Sequence, residues 1–312
     1  MTNQIHPTDT STTRFPTRFG IRRFLPSHAP FALALALVLL GLCGCDMSRK
    51  GNVDAWHPPS GYVPVDQFDL IRNAADQEAL YTLAGGLKPM SSGIWQGSFE
   101  LDAPDLTELR DVRRALAPLC NDVWYADVQI FKNTNDGERQ VQAFVVHRES
   151  LARMIERHKT FWNPQGITPC THPAEIVAIV DRMPRADRWR GYGYLFGYPD
   201  HAVDFFVEAG LALDDGREVG PGKDREFIQI PTQVADSGRF TYAVPPGHVP
   251  IQADQALAEN AGLILTAYEQ RRHRLVDVDD TVKALLQLNR QFEYLPLTES
   301  SPGRQKTAGS PQ

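Results

Sequence analysis

The chain has 312 residues, of which 42% are hydrophobic, and it carries a formal charge of −6. Such a composition is typical of a globular protein, and the length suffices for one large domain or two small ones. A net acidic chain lacks the basic surface with which nucleic-acid binders neutralise phosphates. We therefore predict no nucleic-acid partner.

An apolar run of about a dozen residues lies near the beginning of the chain, between Phe31 and Leu42. A helix needs roughly 20 apolar residues to cross a bilayer, so this run is too short for a membrane span and fits the apolar region of a signal peptide. The four arginines in front of it orient such a segment for export. They are Arg14, Arg18, Arg22 and Arg23. We interpret residues 1–44 as an export signal.

The residues that end this run, Leu42-Cys43-Gly44-Cys45, resemble the lipobox of bacterial lipoproteins. The resemblance implies cleavage before Cys45, lipid on that cysteine, and a membrane-anchored chain that faces the periplasm of the cell envelope. Asp46 resembles the signal that retains such proteins at the inner membrane. Cleavage at this point leaves 28 basic and 37 acidic residues, a formal charge of −9.

The exported part divides into three regions. Residues 45–65 are polar and rich in turn-forming residues, which predicts an extended tether. Residues 66–297 have the apolar periodicity of a single globular domain. Residues 298–312 have almost nothing to bury, which predicts a disordered tail.

Apolar spacing predicts the elements of the domain. Helices are expected where apolar residues recur every three or four positions, and strands where they alternate. Strands and helices mix without a regular βαβ repeat, so we predict an α+β fold with a mixed or antiparallel sheet that contains a hairpin. In chain order the predicted elements are a helix at 68–84, a strand at 94–99, a helix at 106–116, a hairpin of strands 124–130 and 140–146, helices at 149–162 and 171–183, a strand at 191–197, a helix at 199–210, strands at 226–230 and 239–244, and helices at 257–268 and 277–288.

Cys120 and Cys170 are the cysteines that remain after the predicted cleavage and lipidation. Exported proteins meet an oxidising compartment, in which an even pair of cysteines favours a disulfide. We predict a Cys120–Cys170 disulfide, with two separate buried thiols as the alternative.

The most unusual segment of the domain alternates glycine with aromatic residues. In a strand, Tyr192, Tyr194 and Tyr198 share one face and the glycines between them share the other. We predict that these tyrosines, together with Trp189, line an aromatic ligand-binding pocket. The alternative is that the rings pack in the core beneath a helix.

A histidine and two carboxylates follow at helical spacing. His201, Asp204 and Glu208 lie on one helix face, and Asp204 could orient His201 as a catalytic base. The alternatives are a metal site and a solvated polar face. The chain has no nucleophile elbow, no His-Glu-x-x-His motif and no phosphate-binding glycine loop. We predict no metal site and no cofactor.

These features together predict a lipid-anchored envelope protein that binds an unidentified envelope protein or a small ligand. The alternative is a periplasmic hydrolase that uses the His201–Asp204 pair beside the aromatic pocket. The sequence leaves open whether the protein is an enzyme.

Overall fold

The computed structural model describes residues 61–214 and 225–293. These residues belong to one compact unit, His57–Gln312. They form ten α-helices and two antiparallel sheets, which confirms the predicted α+β class. The predicted export signal, the lipobox with Cys45, and the tail at 298–312 lie outside the described residues.

The first sheet has three strands in the order β1-β3-β2. They are β1 (Met90–Glu100), β2 (Trp124–Asn135) and β3 (Glu138–His147). The predicted hairpin is confirmed as β2 and β3. Its turn residues Asp136 and Gly137 have φ values of 50° and 81°, in the left-handed region that two-residue hairpin turns require.

The second sheet is a ribbon of β4 (Glu226–Thr232) and β5 (Ala235–Val244), which confirms both strands predicted there. Its apolar residues are continuous with the main core. Phe240 and Tyr242 are almost completely buried within that cluster. This burial compensates for the low stability that a two-stranded ribbon has alone.

Helices form the rest of the described chain. The predicted helices at 68–84 and 149–162 are each divided in two by a short break. No helix in the described ranges combines the length and the apolar content needed to cross a bilayer. The helices are α1 (Gln67–Asp76), α2 (Leu80–Leu83), α3 (Thr107–Ala115), α4 (Arg148–Arg157), α5 (Lys159–Trp162), α6 (Pro173–Arg182), α7 (Arg185–Leu195), α8 (Asp200–Asp214), α9 (Gln252–Arg272) and α10 (Val278–Phe292).

The strand predicted at 191–197 is wrong, because residues 191–195 form the end of α7 and a turn follows at 196–197. The glycines allow neighbouring side chains to approach the helix closely: Gly191 lies against Val180, and Gly193 lies against Val203. The alternation of glycine and aromatic residues therefore reflects helix packing and not the two-residue period of a strand. As a result Tyr192 and Tyr194 point in different directions around α7, and Tyr198 lies beyond the end of that helix.

Strand β3 separates two hydrophobic clusters. Ala143 and Val145 face the first cluster, whereas Phe144 and Val146 face the second, as alternation along a strand dictates. The first cluster includes residues of α1, α2, α3, α9, α10 and the ribbon, and the second includes residues of α4 to α7. Tyr198 packs against both clusters, at the junction of α7 and α8.

Candidate metal centre

The predicted catalytic pair is not formed. His201 lies in the first turn of α8, but Asp204 is exposed and pairs with Arg190 of α7. No hydrogen bond or ion pair connects His201 to Asp204 in the described ranges. Asp204 therefore does not orient His201 as a base; its partner is the Arg190 guanidinium.

His201 instead meets two residues from a distant part of the chain. His248 lies in the loop between β5 and α9, and Asp254 lies in the first turn of α9. One potential ligand atom from each of these three residues lies within 4.8 Å of the others. The His201 and His248 rings are stacked, with centroids 5.1 Å apart and planes 12° apart.

Asp254 is the centre of this group. Its Oδ1 lies 3.2 Å from His201 Nε2, and its Oδ2 lies 2.8 Å from His248 Nε2. Tyr242 donates its hydroxyl to Oδ1 at 2.7 Å, and the Ile251 amide donates to Oδ2 at 3.0 Å. The Asp254 side chain is only 1% exposed. The four contacts fix both carboxylate oxygens in place.

Hydrogen bonding keeps the Asp254 carboxylate charged. Burial alone would raise the pKa of Asp254, but the hydrogen bonds from Tyr242, His248 and Ile251 together hold that pKa below its ordinary value. Burial, followed by the contact with Asp254, raises the pKa of Tyr242, so its hydroxyl stays protonated and donates. An ionised carboxylate beside two imidazoles is a donor set for a divalent metal ion.

The His201 imidazole has a buried nitrogen that is not satisfied. His201 Nε2 lies near Asp254 Oδ1 but is not aligned for a hydrogen bond, and it has no other hydrogen-bond partner in the described part of the chain. A buried polar group without a partner costs about 1–3 kcal/mol. A cation between His201, His248 and Asp254 would satisfy this nitrogen.

A turn and a helix cap position the two residues that join His201. Gly247 has a φ of 72°, and the His248 amide donates to the Pro245 carbonyl, so the loop folds back and presents His248. Asp254 accepts the amide of Ile251, the residue before α9, and thereby caps the helix. Both features are local, but their juxtaposition with α8 depends on the tertiary fold.

The spacing suits a small divalent ion. Zinc binds nitrogen and oxygen ligands at about 2.0–2.2 Å, which places adjacent ligand atoms of a tetrahedral site about 3.3 Å apart. The Asp254 oxygens lie 3.2 Å from His201 Nε2 and 2.8 Å from His248 Nε2. Both distances are near this value, and one ligand atom from each of the three residues lies within 4.8 Å of the others. Three protein ligands leave a fourth position open, as in catalytic zinc sites.

The predicted aromatic pocket is not formed as one site. Tyr194 stacks on His158, with ring centroids 3.9 Å apart. Trp189 packs against Phe206 at 5.8 Å. Tyr194 belongs to the second hydrophobic cluster, in agreement with the alternative that placed the rings in the core, whereas Trp189 is half-buried against the exposed Phe206.

The other two tyrosines lie in separate environments. Tyr198 packs against Phe240 and Tyr242 of strand β5. It therefore contacts the tyrosine whose hydroxyl donates to Asp254. Tyr192 lines a separate cavity beside the β2–β3 hairpin. Of the four predicted ligand-binding residues, only Tyr192 and Tyr198 therefore relate to a candidate site.

The predicted Cys120–Cys170 disulfide is absent, since both cysteines are free and exposed. The Cys120 thiol donates instead to the Ala126 carbonyl at 3.2 Å, on the strand that follows. Burial of its sulfur raises the pKa of the Cys120 thiol. The alternative of two buried thiols does not hold for Cys170, which is exposed, whereas Cys120 is an exposed residue whose sulfur is partly buried.

Sequence reasoning identified His201 but missed His248 and Asp254. A histidine in a Pro-Pro-Gly turn shortly before a helix with an aspartate in its first turn is a weak signal, because caps and turns account for both residues. No family model, curated protein or solved structure matches this chain. The assignment of a function therefore depends on the chemistry of the residues themselves.

Proposed function

We propose that the protein is a lipid-anchored envelope protein whose folded domain binds a divalent transition-metal ion through His201, His248 and Asp254. The observation that supports metal binding is the convergence of three ligand atoms within 4.8 Å. The buried His201 Nε2, which has no hydrogen-bond partner among the described residues, is a second observation that supports metal binding. The anchor is supported by the resemblance of Leu42-Cys43-Gly44-Cys45 to a lipobox.

Each residue of the centre has a distinct role in this proposal. Asp254 supplies the negative charge, and the two imidazoles supply neutral nitrogen ligands. Tyr242 and the Ile251 amide hold the carboxylate in orientation, as hydrogen bonds behind metal ligands do. His248 would exchange its hydrogen bond to Asp254 for a bond to the ion, with the ring proton carried by the other ring nitrogen, because a ligating nitrogen must be free of its proton.

A metal-dependent hydrolase is the second candidate, and the open fourth position favours it. A water bound there would be activated as a nucleophile. This candidate retains His201 from the predicted hydrolase but replaces Asp204 by Asp254 and makes the histidine a ligand. Hydrolysis of an envelope ester or amide that requires the metal would establish it.

Titration of the purified full-length protein with Zn²⁺ and Co²⁺ tests metal binding. We expect one ion per chain and a cobalt absorption band of tetrahedral type. His201→Ala and His248→Ala should each weaken binding about tenfold or more. His273→Ala is a matched control, because His273 is exposed and remote from the centre in sequence.

Two outcomes would contradict the metal proposal. One is the absence of stoichiometric binding of either ion to folded wild-type protein. The other is binding that persists unchanged in both His201→Ala and His248→Ala, which would place the ion elsewhere. Circular dichroism of each variant would show that a loss of binding is not a loss of fold.

Metabolic labelling with a palmitate analogue tests the anchor. Wild-type protein should incorporate the label, and Cys45→Ser should abolish it. Cys43→Ser is the matched control, because it changes the neighbouring cysteine and leaves the proposed attachment site intact. Label that persists in Cys45→Ser would refute lipid attachment at this residue.

A further inference from the structure

Strand β2 is irregular where it passes β3. The pairing register shifts between Ile130 and Thr134. Three residues of β2, 131–133, therefore lie opposite a single residue of β3, Gln140. Such bulges redirect side chains and are frequent beside functional sites. Here the bulge forms one wall of a cavity between the hairpin and helices α6 and α7.

The cavity has a volume of about 370 Å³, within the range of small-molecule sites. Phe131 and Tyr192 provide aromatic surface, and Asn133 and Gln140 provide amides. The charged groups of the cavity come from the helices.

Asp181 of α6 is a buried carboxylate without a cationic partner. It is 8% exposed, and its Oδ2 accepts the amide of Lys132 in the bulge at 2.7 Å. No ion pair to Asp181 occurs within residues 61–214 and 225–293. A buried charge that lacks a counter-charge is costly, so a ligand with a positive group would be favoured here.

Arg188 of α7 lines the same cavity and also lacks an ion-pair partner in the described ranges. Its guanidinium makes one weak contact, from Nη1 to the main-chain carbonyl of Asp181 at 3.5 Å. The Asp181 carboxylate and the Arg188 guanidinium do not pair with each other. The remaining donors of Arg188 can bind a carboxylate in the two-pronged geometry typical of arginine.

We propose that this cavity binds a zwitterionic α-amino acid, with the ligand ammonium on Asp181 and the ligand carboxylate on Arg188. An α-amino acid carries its two opposite charges close together, which suits two unpaired charges that line one cavity. A neutral glycan could use the Asn133 and Gln140 amides but would leave both protein charges uncompensated. The amino acid is therefore the ligand class that the site favours.

The aromatic residues complete the site. Tyr192 accepts a hydrogen bond from Gln129 at 2.6 Å, and burial raises its pKa to about 12, so its hydroxyl stays neutral. It can donate to a ligand oxygen without adding charge. Phe131 offers an apolar surface to the ligand's side chain. This proposal does not depend on the metal centre.

Thermal-shift measurements on the purified full-length protein, with the L- and D-amino acids added singly, would identify a ligand for calorimetry. The N-acetyl derivative of that amino acid lacks the ammonium, and its amide lacks the carboxylate. Each should bind about tenfold more weakly or worse, since each loses one charge-assisted contact.

Matched variants test the two protein charges. Arg188→Gln and Asp181→Asn should each weaken binding about tenfold or more. Asp181→Asn retains an oxygen for the Lys132 amide, so the bulge is preserved. Arg182→Gln and Asp187→Asn make the same charge changes nearby, outside the residues that line the cavity, and should leave affinity unchanged.

The proposal is overturned if no amino acid binds, or if binding survives both Arg188→Gln and Asp181→Asn. Binding of N-acetylglucosamine in place of amino acids would also overturn it and assign the cavity to a glycan. Retention of amino-acid binding in His201→Ala would separate this site from the metal centre.

Discussion

Gly193 of α7 lies directly against Val203 of α8. A Cβ atom placed on Gly193 would be 2.8 Å from Val203 Cγ2, closer than real Cβ contacts come. Both residues are buried, so neither can move toward solvent. The contact sets the distance between α7 and α8, and α8 carries His201.

Gly193→Ala should therefore destabilise the domain, although alanine favours helix more than glycine does. The steric clash should lower the free energy of unfolding by about 1–3 kcal/mol. Gly262→Ala in α9 is the matched control, because its Cβ would meet nothing within 4 Å. That change should raise stability by up to about 1 kcal/mol. Urea unfolding measures the stability of both variants. If Gly193→Ala stabilised the domain as much as Gly262→Ala does, the close packing of α7 on α8 would be contradicted.

His147 should make the domain sensitive to mild acid. The residue is 4% exposed, and burial lowers its pKa from 6.5 to about 4. Between pH 6.5 and about pH 4, His147 binds a proton in the unfolded chain but not in the folded chain. The free energy of unfolding should thus fall as pH drops through this window, by on the order of 3 kcal/mol in total.

His147→Asn should remove much of this pH dependence. Asparagine does not titrate, and it can still accept the Ser150 amide that His147 Nδ1 accepts at the start of α4. His273→Asn, at an exposed histidine, should leave the dependence unchanged. Denaturant unfolding across the acidic range compares them, and identical pH slopes for wild type and His147→Asn would refute the assignment.

Cysteine substitutions distinguish free thiols from a disulfide. With both cysteines free, Cys170→Ser should lower the number of reactive thiols in the unfolded, unreduced protein by one. A Cys120–Cys170 disulfide would give the opposite change, a gain of one, because Cys120 would be released. Counting with a thiol reagent decides between them, and Cys120→Ser provides the reciprocal measurement.

Asp76 should contribute strongly to stability. Its buried carboxylate accepts two hydrogen bonds from Arg272, at 2.6 and 2.7 Å, and one from Tyr268 at 2.9 Å, which join α1 to α9. Asp76→Asn removes the charge and should lower the free energy of unfolding by about 2–4 kcal/mol. Asp69→Asn on the exposed side of α1 should change it by less than about 0.5 kcal/mol. If Asp76→Asn and Asp69→Asn changed the thermal unfolding equally, the Asp76–Arg272 ion pair would contribute nothing measurable to stability.

Local patterns predicted the elements whose signals are local. The β2–β3 hairpin follows from alternating residues on both sides of Asp136 and Gly137, and the β4–β5 strands follow from the same alternation. Helix α7 was missed because its glycines imitate a strand period. The contacts that explain those glycines, such as Val203 against Gly193, come from another helix and leave no trace in the local pattern.

The candidate metal centre was only partly predicted, because its other residues come from a distant part of the chain. His201 and Asp204 were chosen together because their helical spacing places both residues on one helix face. The partner that the structure provides is Asp254, which in sequence looks like an ordinary capping residue. Spacing along a helix cannot show which distant loop will cover it.

The Asp254 centre also gives the β4–β5 ribbon a measurable behaviour. The Tyr242 hydroxyl joins strand β5 to Asp254 by a hydrogen bond. His201 of α8 lies 3.2 Å from the same carboxylate oxygen. A two-stranded ribbon opens more easily than the three-stranded sheet, so its amide protons should exchange with solvent sooner. An ion at the centre would hold the ribbon closed, so the exchange rates of the ribbon amides would report metal occupancy in the intact protein.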